Sequence, residues 1–259
     1  MSNAHLYPCF QHWPGTIWFY SDPHFSDEHM YQFRKGITDE EQVKRINSKV
    51  GKNGTIIFLG DVGNLEFVKK LKGYKVLIMG NHERGRTNYE RVQKKVVVDA
   101  SRYTQEGAID FMRAAYTDYE VKFICSGKAG WIFDIDNRLF DEVYEGTLQI
   151  SPKIILSHEP IDYEYCLNIH GHDHSGADFV NHVLKYYDAD MPLTSMIDNY
   201  LETIKTDKLT KLNVCAEWIN YTPINIERLI KSGILHSIPD VHRHTIDEAT
   251  LRKMKKNQR

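Results

Sequence analysis

The run Asn168-Ile169-His170-Gly171-His172-Asp173-His174 places two imidazoles, His172 and His174, two residues apart and directly after a glycine. Alternate side chains of an extended backbone point the same way. Gly171 lets the chain turn where a larger residue could not. Such spacing aims two neutral nitrogens at a pair of metal ions. Histidine pairs also arise on surfaces by chance, so the reading depends on what stands upstream. There the chain carries Asp22-Pro23-His24, Gly60-Asp61, Gly80-Asn81-His82 and Ser157-His158. Imidazoles mixed with carboxylates suit Mn²⁺, Fe or Zn²⁺ better than Ca²⁺ or Mg²⁺.

Each signature follows a short apolar run that must position it. The runs are Thr16 to Tyr20, Thr55 to Leu59, Lys75 to Met79, Lys153 to Leu156 and Cys166 to Ile169. Continuous apolar runs of this length predict strands buried on both faces. Between the early ones lie helical patterns. Thr38 and Glu41 form a capping box ahead of Val43, Ile46 and Val50, and a shorter helix is predicted over Leu65 to Leu71. Strand–helix alternation predicts an α/β sandwich, with chemistry at the C-terminal ends of its strands.

From 88 to 137 the pattern changes. A helix is predicted over Thr104 to Phe123, followed by a glycine-containing loop, Ser126 to Gly130, before Trp131. The segment lies between two ligand loops. It is expected to be a helical insertion that either covers the site as a lid or packs against the core. After His174, residues 176 to 211 read as a loop and helix, with Met196, Tyr200 and Ile204 at helical spacing. A strand over Leu212 to Ile219 and a helix over Ile226 to Ser232 follow. The basic stretch 252–259 reads as a frayed tail. The whole of 1–259 is expected to be a single domain.

Composition narrows the function. An apolar content of 41% over 259 residues can build a sizeable core, and a formal charge of −2 provides no basic field for nucleic acid. A small phosphorylated substrate fits that balance, and nucleic acid is disfavoured. Cys9, Cys125, Cys166 and Cys215 show no CxxC spacing and read as reduced thiols. No signal-like start and no bilayer-length apolar run is visible, which predicts a cytoplasmic protein with no membrane partner. The oligomeric state is left open.

Taken in order, D-x-H, GD, GNH, a lone His and GHxH resemble the calcineurin-like metallophosphoesterase superfamily, in its small bacterial and phage form. The match runs from about Tyr20 to His174. The resemblance implies a β-sandwich of two mixed sheets flanked by helices. It implies two metal ions, Mn²⁺ first among the candidates, bridged by one carboxylate. Asp22, His24, Asp61 and His174 would hold the first ion; Asp61, Asn81, His158 and His172 would hold the second. Ions about 3.5–4 Å apart can share a hydroxide and clamp the attacking and leaving oxygens of a phosphoryl group. His82, beside a ligand but not one itself, would contact phosphate and protonate the leaving oxygen. The implied activity is hydrolysis of a phosphodiester or small phosphomonoester by attack of metal-bound hydroxide.

Two other readings stand beside it: a catalytically silent, metal-stabilised interaction module, and a nuclease. The complete ligand set and His82 oppose the first, and the near-neutral charge opposes the second. The remaining histidines, His5, His12, His29, His170, His182, His236, His242 and His244, read as surface or structural residues. Asp27 and Glu28 read as a solvated helix start, and Asp173 as pointing away from its neighbours. Many relatives carry GDxxD where this chain has Asn64, so outer support of the Asp61 loop is expected to be weaker. Arg84 and Arg86 could grip phosphate or lie solvated on the surface.

Overall fold

A computed structural model describes residues 5–34, 36–85, 88–174, 193–207 and 209–240. Arg86, His182, His242, His244, the tail 252–259 and the start of the predicted 176–211 excursion lie outside the described residues.

The structure is a mixed α/β fold. Its first sheet has the order β1-β2-β3-β7, built from β1 (Ile17–Tyr20), β2 (Thr55–Phe58), β3 (Tyr74–Ile78) and β7 (Glu142–Tyr144). All three pairings are parallel. This corrects the expectation of two mixed sheets. The second sheet has the order β11-β10-β9-β8, from β8 (Leu148–Ser151), β9 (Ile154–Leu156), β10 (Leu167–His170) and β11 (Lys211–Asn213). It is mixed, because only β8 runs antiparallel to its neighbour. Apolar residues of both sheets join one core, from Phe19, Ile57 and Leu77 to Ile154, Leu167 and Ile169. Backbone bonds from Ser21 N to Val214 O and from Ala216 N to Ser21 O tie the sheets together just beyond β1 and β11.

Short helices α1 (Glu28–Tyr31), α2 (Asp39–Val50) and α3 (Leu65–Val68) fill the early connections. The Thr38 half of the α2 capping box forms: Thr38 Oγ1 accepts from Glu41 N at 3.2 Å, while the Glu41 carboxylate pairs with Lys44 and Arg45, and Val43, Ile46 and Val50 are buried. Three acidic residues in its first turn complement the helix dipole. Further on come α5 (Leu193–Thr206), α6 (Glu227–Lys231) and α7 (Ile234–Ser237). Among the described residues no helix is long and apolar enough to cross a membrane.

The insertion differs from expectation. Its helix, α4 (Gln105–Ala115), ends well before Phe123. The rest is an antiparallel sheet of order β4-β6-β5, formed by β4 (Gln93–Val98), β5 (Glu120–Gly127) and β6 (Gly130–Asp136). Glu120 and Lys122 are exposed while Val121 and Phe123 are half-buried, so the period in β5 is two, not 3.6. The insertion has a small core of its own, around Val98, Ala108, Met112, Phe133 and Ile135, separate from the main core.

The outer strand of the first sheet is pinned through Glu142. Its carboxylate accepts from Trp13 Nε1 at 3.0 Å, Tyr74 OH at 2.6 Å and Tyr144 OH at 2.5 Å, and pairs with His12. Burial pushes this carboxyl up, but the bonds from Tyr144, Tyr74, His12 and Trp13 outweigh it and hold it below its ordinary 4.5. A carboxyl depressed in the folded state contributes stability above its unfolded value and loses it as pH falls. Glu142→Gln is therefore expected to lower stability at neutral pH and to flatten the loss of stability below pH 4.5. Urea midpoints at neutral and acid pH test this. Parallel acid losses in the wild type and the variant would contradict it.

Candidate metal centre

The eight residues singled out in the sequence come together at the C-terminal ends of β1, β2, β3, β9 and β10. Asp22, His24 and His174 form one group whose ligand atoms lie within 4.8 Å of one another, and Asp61, His158 and His172 form a second. In the first, His174 Nε2 stands 3.3 Å from Asp22 Oδ1 and 3.3 Å from His24 Nε2. In the second, His158 Nε2 stands 2.7 Å from Asn81 Oδ1 and 3.1 Å from His172 Nδ1, which itself lies 3.1 Å from Asn81 Oδ1. Asp61 Oδ2 faces both groups, 3.3 Å from His158 Nε2 and 3.9 Å from His24 Nε2.

Five of these seven separations, 3.1 to 3.3 Å, fit metal coordination, while His158–Asn81 at 2.7 Å is shorter and Asp61–His24 at 3.9 Å longer. Ligands about 2.1 Å from an ion stand about 3.0–3.4 Å from one another in octahedral or tetrahedral sites. Asp22 Oδ1 is buried with no donor aligned on it, although His174 Nε2 is close. Acceptors also fix the imidazoles. His158 Nδ1 donates to Leu59 O at 2.7 Å and His174 Nδ1 to Glu217 Oε1 at 3.1 Å, while His24 Nδ1 lies 3.4 Å from Asp27 Oδ2. A carbonyl or carboxylate only accepts, so the His158 and His174 rings, donating from Nδ1, direct Nε2 toward the cluster, the arrangement that supports imidazole ligands.

The electrostatics are those of tightly opposed carboxylates and imidazoles. Burial pushes the Asp22 carboxyl up, but the His174 imidazole 3.3 Å away and the His158 charge bring it down to about 2. Asp61 is lowered too: burial is outweighed by its bonds to His158 and to the His82 backbone. Burial pulls His174 down, yet Asp22 and Glu217 push it up to about 10. A divalent ion competes with protons for these lone pairs.

The backbone is bent to place these groups. Among the described residues, four of the nine non-glycine residues with positive φ are predicted ligands: Asp22 (54°), His24 (45°), Asp61 (50°) and His172 (65°). Each such residue costs of order 1 kcal/mol. Strain of this kind persists only where surrounding structure over-determines it. Gly171 acts differently from expectation. The left-handed turn is at His172, and Gly171 instead permits close approach, since a Cβ there would stand 2.0 Å from Ser21 Oγ and 2.3 Å from Asp22 Oδ2. A Cβ on Gly80 would meet Asp61 Oδ1 at 2.3 Å.

His82 lies outside both groups. Its side chain is 53% exposed with Nε2 3.8 Å from Asp61 Oδ2, and its backbone N–H donates to Asp61 Oδ1 at 2.9 Å. His170 is buried at the end of β10 and bonds Gly171 O, and Asp173 is half-buried and outside both groups. Arg84 is exposed and ion-paired with Glu159.

Several supporting residues were not legible beforehand. Glu83, 1% exposed, accepts from Asp61 N (2.7 Å), Val62 N (2.8 Å) and Gly80 N (2.8 Å), locking two ligand loops together. It supplies the support expected to be missing at Asn64. Asn64 instead caps α3 and donates to Ser26 Oγ at 3.1 Å. Asp27 caps α1 besides facing His24, so it is more than a solvated helix start. Glu217 and Cys215 lie past the end of β11, where a strand was predicted; Cys215 Sγ donates to Asp22 Oδ2 at 3.2 Å. Only Glu83 carried a local signal, its place directly after Asn81-His82.

No protein-family model matches the chain, and no curated protein is significantly similar to it. A solved structure of a protein of unknown function from Aquifex aeolicus is similar over 83% of this chain and 98% of its own, at 19% identity and a TM-score of 0.43.

Proposed function

We propose that this chain is a dinuclear metal-dependent phosphoesterase of the calcineurin-like type, its two four-stranded sheets forming that superfamily's β-sandwich. The observation that carries the reading is Asp61 Oδ2, a single carboxylate oxygen facing two separate groups of nitrogen and oxygen donors. Asp22, His24, Asp61 and His174 would hold the first ion. Asp61, Asn81, His158 and His172 would hold the second. Mn²⁺ suits this imidazole-rich set, with Fe and Zn²⁺ as the other fits. When bound, the ions would supply positive charge for the phosphoryl oxygens and acidify the attacking water.

The chain's own residues do the rest. Asn81 contributes a neutral oxygen, which leaves net positive charge to attract phosphate. His82, exposed at the mouth, contacts the phosphoryl group and gives a proton from Nε2 to the leaving oxygen. The substrate is a phosphodiester or small phosphomonoester met in the cytoplasm. A silent interaction module has no use for an exposed histidine beside two complete donor groups. A nuclease needs a basic surface, and Arg84 is already paired with Glu159. The test is a panel of nitrophenyl monoesters, diesters and nucleotides, with chelator, Mn²⁺ or Mg²⁺. Chelator should abolish turnover, and Mn²⁺ should restore it better than Mg²⁺. Full turnover in excess chelator would reject the reading.

The insertion is proposed to limit which esters enter. A cleft of about 610 Å³ runs between it and the main core, lined by Met79 just before Gly80 and by Tyr89, Asp118, Tyr119 and Asn137. Because the insertion has a separate core, replacing 92–136 by a short Gly-Ser linker should leave the main fold intact. Bulky esters are then expected to gain rate relative to small ones. An unchanged profile in a folded, metal-loaded protein would make the segment purely structural.

A further inference from the structure

We propose that the buried Arg34–Asp39 ion pair is the positioning element of the first ion's ligand loop, a role that rests on the dinuclear reading above. The loop holds three non-glycine residues with left-handed φ at alternate positions: Asp22 (54°), His24 (45°) and Ser26 (61°). Local backbone energetics oppose this shape, so it must be imposed from outside.

Arg34 is 1% exposed and sits under the loop. Its Nη2 donates to Pro23 O at 2.8 Å and to His24 O at 2.6 Å, and its Nη1 donates to Asp39 Oδ1 at 2.6 Å. Asp39 Oδ2 accepts from Ser26 N at 2.9 Å and from Tyr31 OH at 3.0 Å. The pair thus grips the backbone at residues 23, 24 and 26, around and between the ligands Asp22 and His24. A guanidinium fork can hold two carbonyls and a carboxylate at once, which an ammonium cannot do with the same geometry. Asp39 neutralises the buried charge, so the grip adds little net charge beside the ions. Asp39 opens α2, where an acidic side chain normally faces water; here it is 4% exposed.

The grip is local. Asn81, His158 and His172 project from the ends of other strands, and the Asp61 and Gly80 loops are held by Glu83. A pair that merely stabilised the fold would weaken both ion sites together. A pair that positions the first loop would weaken one.

The test is calorimetric titration of Mn²⁺ into the full chain, with electron paramagnetic resonance of the loaded protein, for the wild type, Arg34→Lys and Arg34→Met, each first checked for folding by circular dichroism. The wild type should take two ions and give a spin-coupled signal. Both variants should bind one ion as before and the other about 10–100-fold more weakly, the usual loss when an outer partner of a ligand is removed. At one equivalent their signal should be that of an isolated ion. Two unchanged affinities in a folded variant, or two equally weakened ones, would overturn the positioning role and leave the dinuclear reading standing. A wild type that binds fewer than two ions would overturn both. If Arg34→Met fails to fold, Arg34→Lys decides; collapse of both would make the pair a determinant of the fold and overturn the proposal.

Discussion

Asp61→Asn is expected to lose nearly all phosphoester hydrolysis while the chain stays folded. Asp61 Oδ2 lies 3.3 Å from His158 Nε2 and 3.9 Å from His24 Nε2, so one oxygen serves both donor groups. The amide has nearly the same shape and keeps an acceptor for the His82 N–H. It removes the negative charge that would let one side chain hold two cations. Loss of a single charge-stabilising group already costs about 10²–10³-fold in turnover, and here the loss falls on both ions. Metal content should drop in parallel. An Asp61→Asn protein with unimpaired turnover would remove the bridge from the proposal.

His82→Ala should behave differently. The side chain stands outside both donor groups and is half-exposed. Both ions should stay bound, with hydrolysis slowed by about 10²–10⁴-fold, the range for general acid catalysis. The loss should shrink for nitrophenyl esters, whose leaving group needs little protonation. An equal loss on good and poor leaving groups would mean that His82 only positions phosphate. Loss of metal would mean that the division of roles between Asn81 and His82 is wrong.

The parts of the molecule that were legible in the sequence share a physical cause. Strands β1, β2, β3, β9 and β10 are largely buried on both faces, so their runs are mostly apolar, broken by Lys75 and Asn168, and end abruptly in the polar residues of the candidate site. The α2 boundary was readable because capping is local. Where a contact was not local, the sequence was silent. Arg34 meets Pro23 and His24 through a turn, Glu217 meets His174 across 43 residues, and Glu83 meets Asp61 across 22 and Val62 across 21. The helix expected to reach Phe123 ends at Ala115, and in β5 Val121 and Phe123 alternate with the exposed Glu120 and Lys122, a period of two. The predicted strand to Ile219 stops at Asn213. The chain then turns, with Trp218 N and Ile219 N bonding back to Cys215 O, and Glu217 in that turn meets His174.

The most direct measurement is the rate of diester hydrolysis by metal-stripped protein titrated with Mn²⁺. Two ions sharing Asp61 predict no turnover in the stripped protein, a rise that saturates at two equivalents per chain, and a return to zero on adding chelator. Turnover without added metal, or saturation at one equivalent, would contradict the dinuclear centre.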